Sequence, residues 1–169
     1  MKTVLIFATF IVVFGCGIMN LIFDLPERYI ERDVRVDEML GAWSVTPHSE
    51  ADVNNFIKNN PNSTVSAPWK AFTLNLDGSC DMKLEPGWLG GFNSDLATKS
   101  LSSCSWSLAK EKNLSGKISP VLDLMLEYTN SYSAAFSLYI FEENGKLIVW
   151  DFIGDPDDFL PQDFAKVNR

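Results

Sequence analysis

The sequence predicts an all-β fold: eight short antiparallel strands closed into an up-and-down barrel, with one flanking helix. Three observations carry this. Short runs rich in alternating apolar residues recur from Leu40 to Val167, with turn signals at regular spacing. Asp77-Gly78 and Asn144-Gly145 each stand between two such runs, and both dipeptides tolerate the positive φ that tight hairpin turns require. Cys80 and Cys104 form an even pair flanking one long connection. Closure of the sheet would also remove its exposed edges.

The chain opens with a different signal. Met1-Lys2-Thr3 supplies one positive charge, and Val4 to Phe14 is apolar apart from Thr9. A cationic start, an apolar stretch and a small residue before a cut describe a secretory signal peptide over residues 1–15. The following Val13-Phe14-Gly15-Cys16 resembles the lipobox of bacterial lipoproteins: an aliphatic residue, a variable one, a small one, then cysteine. That resemblance implies lipidation of Cys16 and an extracytoplasmic protein held in the cell envelope, on the periplasmic side or the cell surface. Residues 16–39 would then form a stalk and 40–169 the barrel domain. Acyl chains bury at about 0.8 kcal/mol per methylene, so several of them hold firmly. Two alternatives remain. Val4 to Phe23 is long enough for an uncleaved transmembrane helix, with Cys16 an ordinary buried cysteine. Cleavage nearby by an ordinary signal peptidase would instead release the protein.

Loss of residues 1–15 leaves about 154, enough for one domain with a core. Lys2 goes with them, which takes the net charge from −8 to −9. Such a surface repels phosphates, so nucleic acid is not an expected partner. Twelve Phe, five Trp and four Tyr argue for a packed domain and not for disorder. With Cys16 spent on lipid, Cys80 and Cys104 are left as a pair in an oxidising compartment, where a disulfide is the expected state. The bridge would close a loop of about 25 residues and stabilise by about 3–4 kcal/mol. A metal site is the rival, but the chain has no Cys-x-x-Cys and its one histidine is distant in sequence.

Along the domain, a short helix is conceivable from Pro26 to Asp33 within a charged approach, and Leu40 to Val45 is the first strand. Ser49 is a candidate cap for a helix over Glu50 to Asn59, where Val53, Phe56 and Ile57 make one stripe. This helix covers the outside of the sheet or forms a lid. Trp69 to Leu76 alternates, with Phe72, Leu74 and Leu76 on one face; Cys80, Met82 and Leu84 share a face after the turn. Pro86 to Lys99 is a glycine-rich loop, and Cys104, Trp106 and Leu108 lie on the strand that follows it. Further strands are expected over Val121 to Tyr128, Ala134 to Phe141, Leu147 to Ile153 and Phe164 to Val167. The Ala134–Ile153 hairpin is apolar on both faces, so both must be covered, and the helix is the natural cover.

Gly41-x-Trp43 at the start of the first strand resembles the opening of lipocalins and other calycins, as do the Leu74-Asn75-Leu76-Asp77-Gly78 hairpin and the meander after it. The resemblance, over roughly Leu40 to Val167, implies that Trp43 plugs the closed end of a barrel. A late basic residue would pack over it, with Lys166 and Arg169 as candidates. It also implies that the barrel binds a small apolar molecule.

Trp69, Trp106, Phe136 and Trp150 are the candidates to line such a cavity; alternatively they fill the barrel, since eight strands can enclose just enough room for side chains. Trp88 and Phe92, on the glycine-rich loop, are candidates for a ligand entrance or a partner contact. His48 has no identifiable nucleophile or orienting group, so no catalytic residue is expected. The acidic run Asp151, Asp155, Asp157, Asp158 and Asp163 suits Ca²⁺ in principle but lacks an EF-hand pattern and reads as a solvated loop; no metal or cofactor is expected. Asn62-Ser63-Thr64 and Asn113-Leu114-Ser115 are sequons that matter only in a eukaryotic secretory pathway. The expected protein is a monomeric, non-enzymatic envelope lipoprotein that takes a small apolar ligand. The alternative is an interaction module, such as an inhibitor, immunity or envelope-assembly factor, with a solid barrel and another envelope protein as its partner.

Overall fold

Eight antiparallel strands form a nearly closed barrel, as the alternation predicts. The computed structural model describes residues 29–60, 70–82, 101–113, 116–129, 133–152 and 161–167. The strands are β1 (Gly41–Val45), β2 (Ala71–Leu74), β3 (Cys80–Met82), β4 (Leu101–Lys112), β5 (Ile118–Tyr128), β6 (Ser133–Glu143), β7 (Lys146–Phe152) and β8 (Pro161–Lys166). Two helices accompany them, α1 (Val36–Met39) before β1 and α2 (Pro47–Asn59) after it. The order across the sheet is β3-β2-β1-β8-β7-β6-β5-β4, so the first and last strands of the domain pair with each other.

β3 and β4 stand at the two edges of this sheet, and four links join them. Cys80 and Cys104 form a disulfide with Cα atoms 5.0 Å apart, as the sequence predicts. Ser79 and Ser105 make an isolated bridge. Trp106 donates its backbone N–H to the Gly78 carbonyl (2.8 Å) and its indole N–H to the Asn75 carbonyl (2.9 Å). The Asp77-Gly78 hairpin is thereby fastened to the far edge of the sheet.

The two ends of the barrel differ. At one, here the turn end, β2–β3, β4–β5 and β6–β7 are joined by short turns, β8 finishes and β1 begins. Asn144 (φ 53°) and Gly145 (φ 72°) take the left-handed conformations that a two-residue hairpin turn needs, which explains the Asn-Gly pair. At the other, the helix end, β1 runs into α2 and β3, β5 and β7 finish.

Inside lies one contiguous cluster with members from every strand, among them Trp43, Phe72, Cys80, Trp106, Leu124, Leu138, Val149 and Phe164. Trp43 stacks on Phe72, with centroids 6.2 Å apart, and Phe72 meets Phe164 at 5.2 Å. A second cluster lies on the opposite face of β6 and β7: Phe141, Ile148 and Trp150, packed with Tyr29, Tyr139 and Ala165.

Several expectations change. The cover on the outer face of β6–β7 includes Tyr29, whose ring meets Tyr139 at 5.6 Å and Trp150 at 6.1 Å; α2 instead packs beside β8. Residues 29–33 are not helical, and the short helix falls at Val36–Met39. There the Glu38 carboxylate accepts the Arg35 N–H and fixes the first turn. Residues 29–39, expected as the last part of a stalk, pack into the turn end, where Ile30 and Met39 belong to the interior cluster. α2 starts earlier than predicted, because Thr46 caps it by accepting the Ser49 N–H (3.2 Å). Pro47 takes the first helical position, where a missing N–H costs nothing. The predicted stripe holds: Val53 is buried, with Phe56 and Ile57 against it. Leu76 does not share the inward face of Phe72 and Leu74, because β2 ends at Leu74 and Leu76 sits exposed in the turn.

Candidate functional site

The turn end is built from local sequence and then locked by side chains. α1 lies directly before β1, so the Met39 carbonyl faces the Trp43 ring and accepts its indole N–H at 2.8 Å. Trp43 and Met39 are fully buried. Lys166 stands opposite Trp43 in the β1–β8 register, and its ammonium donates to the Glu38 carbonyl at 3.0 Å. Gly41 has φ +110°, and a Cβ there would lie 3.5 Å from Lys166 Cε, so the lysine stem runs close over the start of β1. Of the two basic candidates, Lys166 is the one placed beside Trp43; Arg169 lies outside the described residues.

A strap, residues 29–35, crosses this end. The β5–β6 ladder stops at Val121↔Tyr139; its next step would set Pro120 against Ile140. Proline has no N–H to give. The Ile140 carbonyl takes its hydrogen bond from Ile30 N–H instead, at 3.1 Å. Ion pairs then hold the strap to three strand ends: Glu31 to Lys117 (2.7 Å), Arg32 to Glu142 (2.9 Å) and Asp33 to Lys110. Arg32 also reaches Glu38 at 2.9 Å. The hydrogen bond and charge of Lys117 hold the Glu31 carboxyl below its ordinary range. Arg32 and the Arg35 N–H do the same for Glu38. Burial, reinforced by Tyr29, Asp151 and Glu111, pushes the Tyr139 hydroxyl up.

At the helix end, the side chain of Ser49 continues the ladder that β1 abandons. Its hydroxyl accepts the Asp163 N–H (3.0 Å) and donates to the Pro161 carbonyl (3.0 Å), just beyond the point where Thr46 N–H meets the Asp163 carbonyl. Ser49 is therefore buried and serves β8, while Thr46 performs the capping expected of it.

Of the three described cavity candidates, two come together and the third does not. Trp106 and Phe136 share one inward layer through Leu124, since Trp106 pairs with Leu124 and Leu124 with Phe136. Trp106 is buried and Phe136 partly so. Trp150 belongs to the outer cluster with Tyr29 and Tyr139, so the structure does not bring it to Trp106 and Phe136. Trp69, Trp88, Phe92 and Cys16 lie outside the described residues. One shallow, open depression of about 390 Å³ lies across β4, β5 and β6. Trp106 and Phe136 line it together with exposed Ser105, Ser107 and Met125, and Asp123 there accepts a hydrogen bond from the Ser137 hydroxyl at 2.7 Å.

His48, on the first turn of α2, is 82% exposed and lies 3.4 Å from Asp52, far along the chain from this depression. Among the described residues no three metal-ligating side chains gather, and Asp163, from the acidic run, is buried beside Ser49. Asn113 is also buried: its amide donates to Ser119 and accepts from the Lys117 N–H, so its role is to hold the β4–β5 turn. Among the described residues no helix is long and apolar enough to cross a membrane. No protein family, curated protein or solved structure matches the chain. The strap, the Ser49 link and the Trp106 clasp escaped sequence reasoning; Pro120 opposite an apolar strand was the one available signal, since it demands a substitute donor.

Proposed function

We propose that this protein is a membrane-tethered, extracytoplasmic β-barrel that works by binding, with another envelope protein as the partner of a solid barrel. The continuous apolar cluster among the described residues carries this reading. Buried side chains from all eight strands form one contiguous cluster, and an eight-stranded barrel is narrow enough for side chains to fill. The Cys80–Cys104 bridge supports an oxidising compartment. The lipobox-like Val13 to Cys16 stretch supports the tether. Native mass spectrometry on the full chain in detergent tests the reading. The expected result is acyl mass on Cys16, two hydrogens fewer than the reduced Cys80–Cys104 pair, and no adduct after incubation with mixed fatty acids. Crosslinked partner capture should fall in Trp88→Ala.

A second reading, binding of a small apolar molecule, draws support from the turn end. Trp43 tied to α1, with Lys166 across it, resembles the closed end of a calycin. Such a ligand would enter at the helix end. Quenching of tryptophan fluorescence by fatty acids, together with a bound fatty acid in the mass spectrum, would select this reading over the first.

A further inference from the structure

We infer that the outer wall of β3–β6 is the docking surface of the barrel, and that a partner protein meets it with a segment rich in lysine or arginine. This rests on the partner-binding reading above. Strand alternation defines the wall. Cys104, Trp106 and Leu108 of β4 face the interior, as do Leu122, Leu124 and Leu126 of β5. The residues between them therefore face out. The carboxylates on this side are Glu111, Asp123 and Glu127. The Ser79–Ser105 bridge continues the wall across the seam, where Asp81 of β3 lies between inward Cys80 and Met82.

These four carboxylates are held by neutral donors. Asp81 accepts from the Asn75 amide (3.1 Å) and Glu127 from the Ser103 hydroxyl (2.8 Å). The Ser137 hydroxyl donates to Asp123 and lies 3.4 Å from Glu111. At the strap the pattern is the reverse: Glu31, Asp33, Glu38 and Glu142 each hold a lysine or arginine. Lys110 and Lys112 are the only cations in the four strands of the wall. Both share the alternation of Leu108 and so belong to the other face, and Lys110 is paired with Asp33. The wall therefore presents charge of one sign.

Its shape suits close approach. Exposed Ser105, Ser107 and Ala135 are small, and the depression of about 390 Å³ runs among them beside Asp123. Met125 stands there 44% exposed, an apolar centre with carboxylates around it. An apolar centre within a polar rim is the usual anatomy of a protein interface. Lysine and arginine fit both parts, because their aliphatic stems pack on apolar surface while their charged heads reach outward. Their hydrogen bonds to carboxylates are stronger than those of the hydroxyl and amide donors now in place. A field of one sign also steers the encounter toward a partner of the opposite sign.

The test uses the full chain in its own envelope, with a photo-crosslinker attached through Met125→Cys or, on the glycine-rich loop, Asn93→Cys. Illumination should join position 125 to a segment of another protein that carries clustered lysine or arginine, read by mass spectrometry of the product. Asp123→Asn with Glu127→Gln should cut the yield about fivefold, and high salt should lower it too. Asp37→Asn with Asp52→Asn removes two charges elsewhere and should leave it unchanged. Capture of a second copy of this chain, or of a segment without such cations, overturns the surface. So does a yield that ignores the wall pair, or one that falls equally in both pairs. Product from position 93 alone overturns the surface and leaves partner binding standing, whereas product from neither position overturns both. Asp123 is half-buried and Glu127 exposed, and an intact Cys80–Cys104 bridge reports that the variants have folded.

Discussion

The two ends of the barrel are closed by different means. The turn end uses short hairpins, a one-turn helix and a strap, and its bonds reach backbone carbonyls that helix and sheet leave open: the Trp43 indole to Met39, the Lys166 ammonium to Glu38, and the Ile30 N–H to the carbonyl that Pro120 cannot serve. Among the described residues, the helix end hands β1 over to α2, and β8 is joined there by two bonds of the Ser49 hydroxyl and one from the Thr46 N–H. The first arrangement spreads its bonds over several segments, so losing one bond there should leave the others holding.

Substitutions test this contrast in descending order of effect. Trp43→Ala removes a fully buried ring from the middle of the Met39–Phe72 packing and should cost about 3–5 kcal/mol, read as a lower urea midpoint. A smaller cost, or a cost confined to the helix end, would contradict the importance given to the turn end. Replacing both Cys80 and Cys104 by serine reopens the seam between β3 and β4 and should cost about 3–4 kcal/mol for a loop of about 25 residues. Hydrogen exchange should rise first around Gly78 and Trp106, where the remaining seam bonds lie.

Ser49→Ala removes the side-chain partner of the Asp163 N–H and of the Pro161 carbonyl, at about 1–3 kcal/mol. The amide of Asp163 should exchange faster while that of Ile30 stays protected. If both change together, the ends are not independent.

Acid should act on the other end. Glu31 and Glu38 have folded-state pKa values below their ordinary value of 4.5. Their contribution is therefore present above that value and is lost as pH falls through the lower, folded values. The strap should loosen progressively as pH falls below 4.5, seen as faster exchange at Ile30, with α2 unaffected. These pairs are exposed, so the effect is small and should shrink further in high salt.

What could be read in advance follows from the range of each interaction. Asn144-Gly145 encodes its own turn, and Val53, Phe56 and Ile57 encode one face of α2, because these signals lie within a few residues of each other. Ser49 misled because two possible caps stand three residues apart, and the choice depends on β8, over a hundred residues away. The side on which Trp150 falls was open for a related reason. β6 and β7 are apolar on both faces, so alternation alone cannot say which face is inside. Trp150 faces outward because Val149 meets Ile140 in the interior.

The sequence by itself determined the all-β class, the number of strands, the hairpin turns and the Cys80–Cys104 pairing, since period, turn chemistry and cysteine count are local or countable. Tertiary structure alone decided the inner face of the β6–β7 hairpin and the incorporation of residues 29–39 into the barrel end. Each of those depends on which unsatisfied backbone group or uncovered apolar face lies nearby once the sheet has curled, and that proximity exists only in three dimensions.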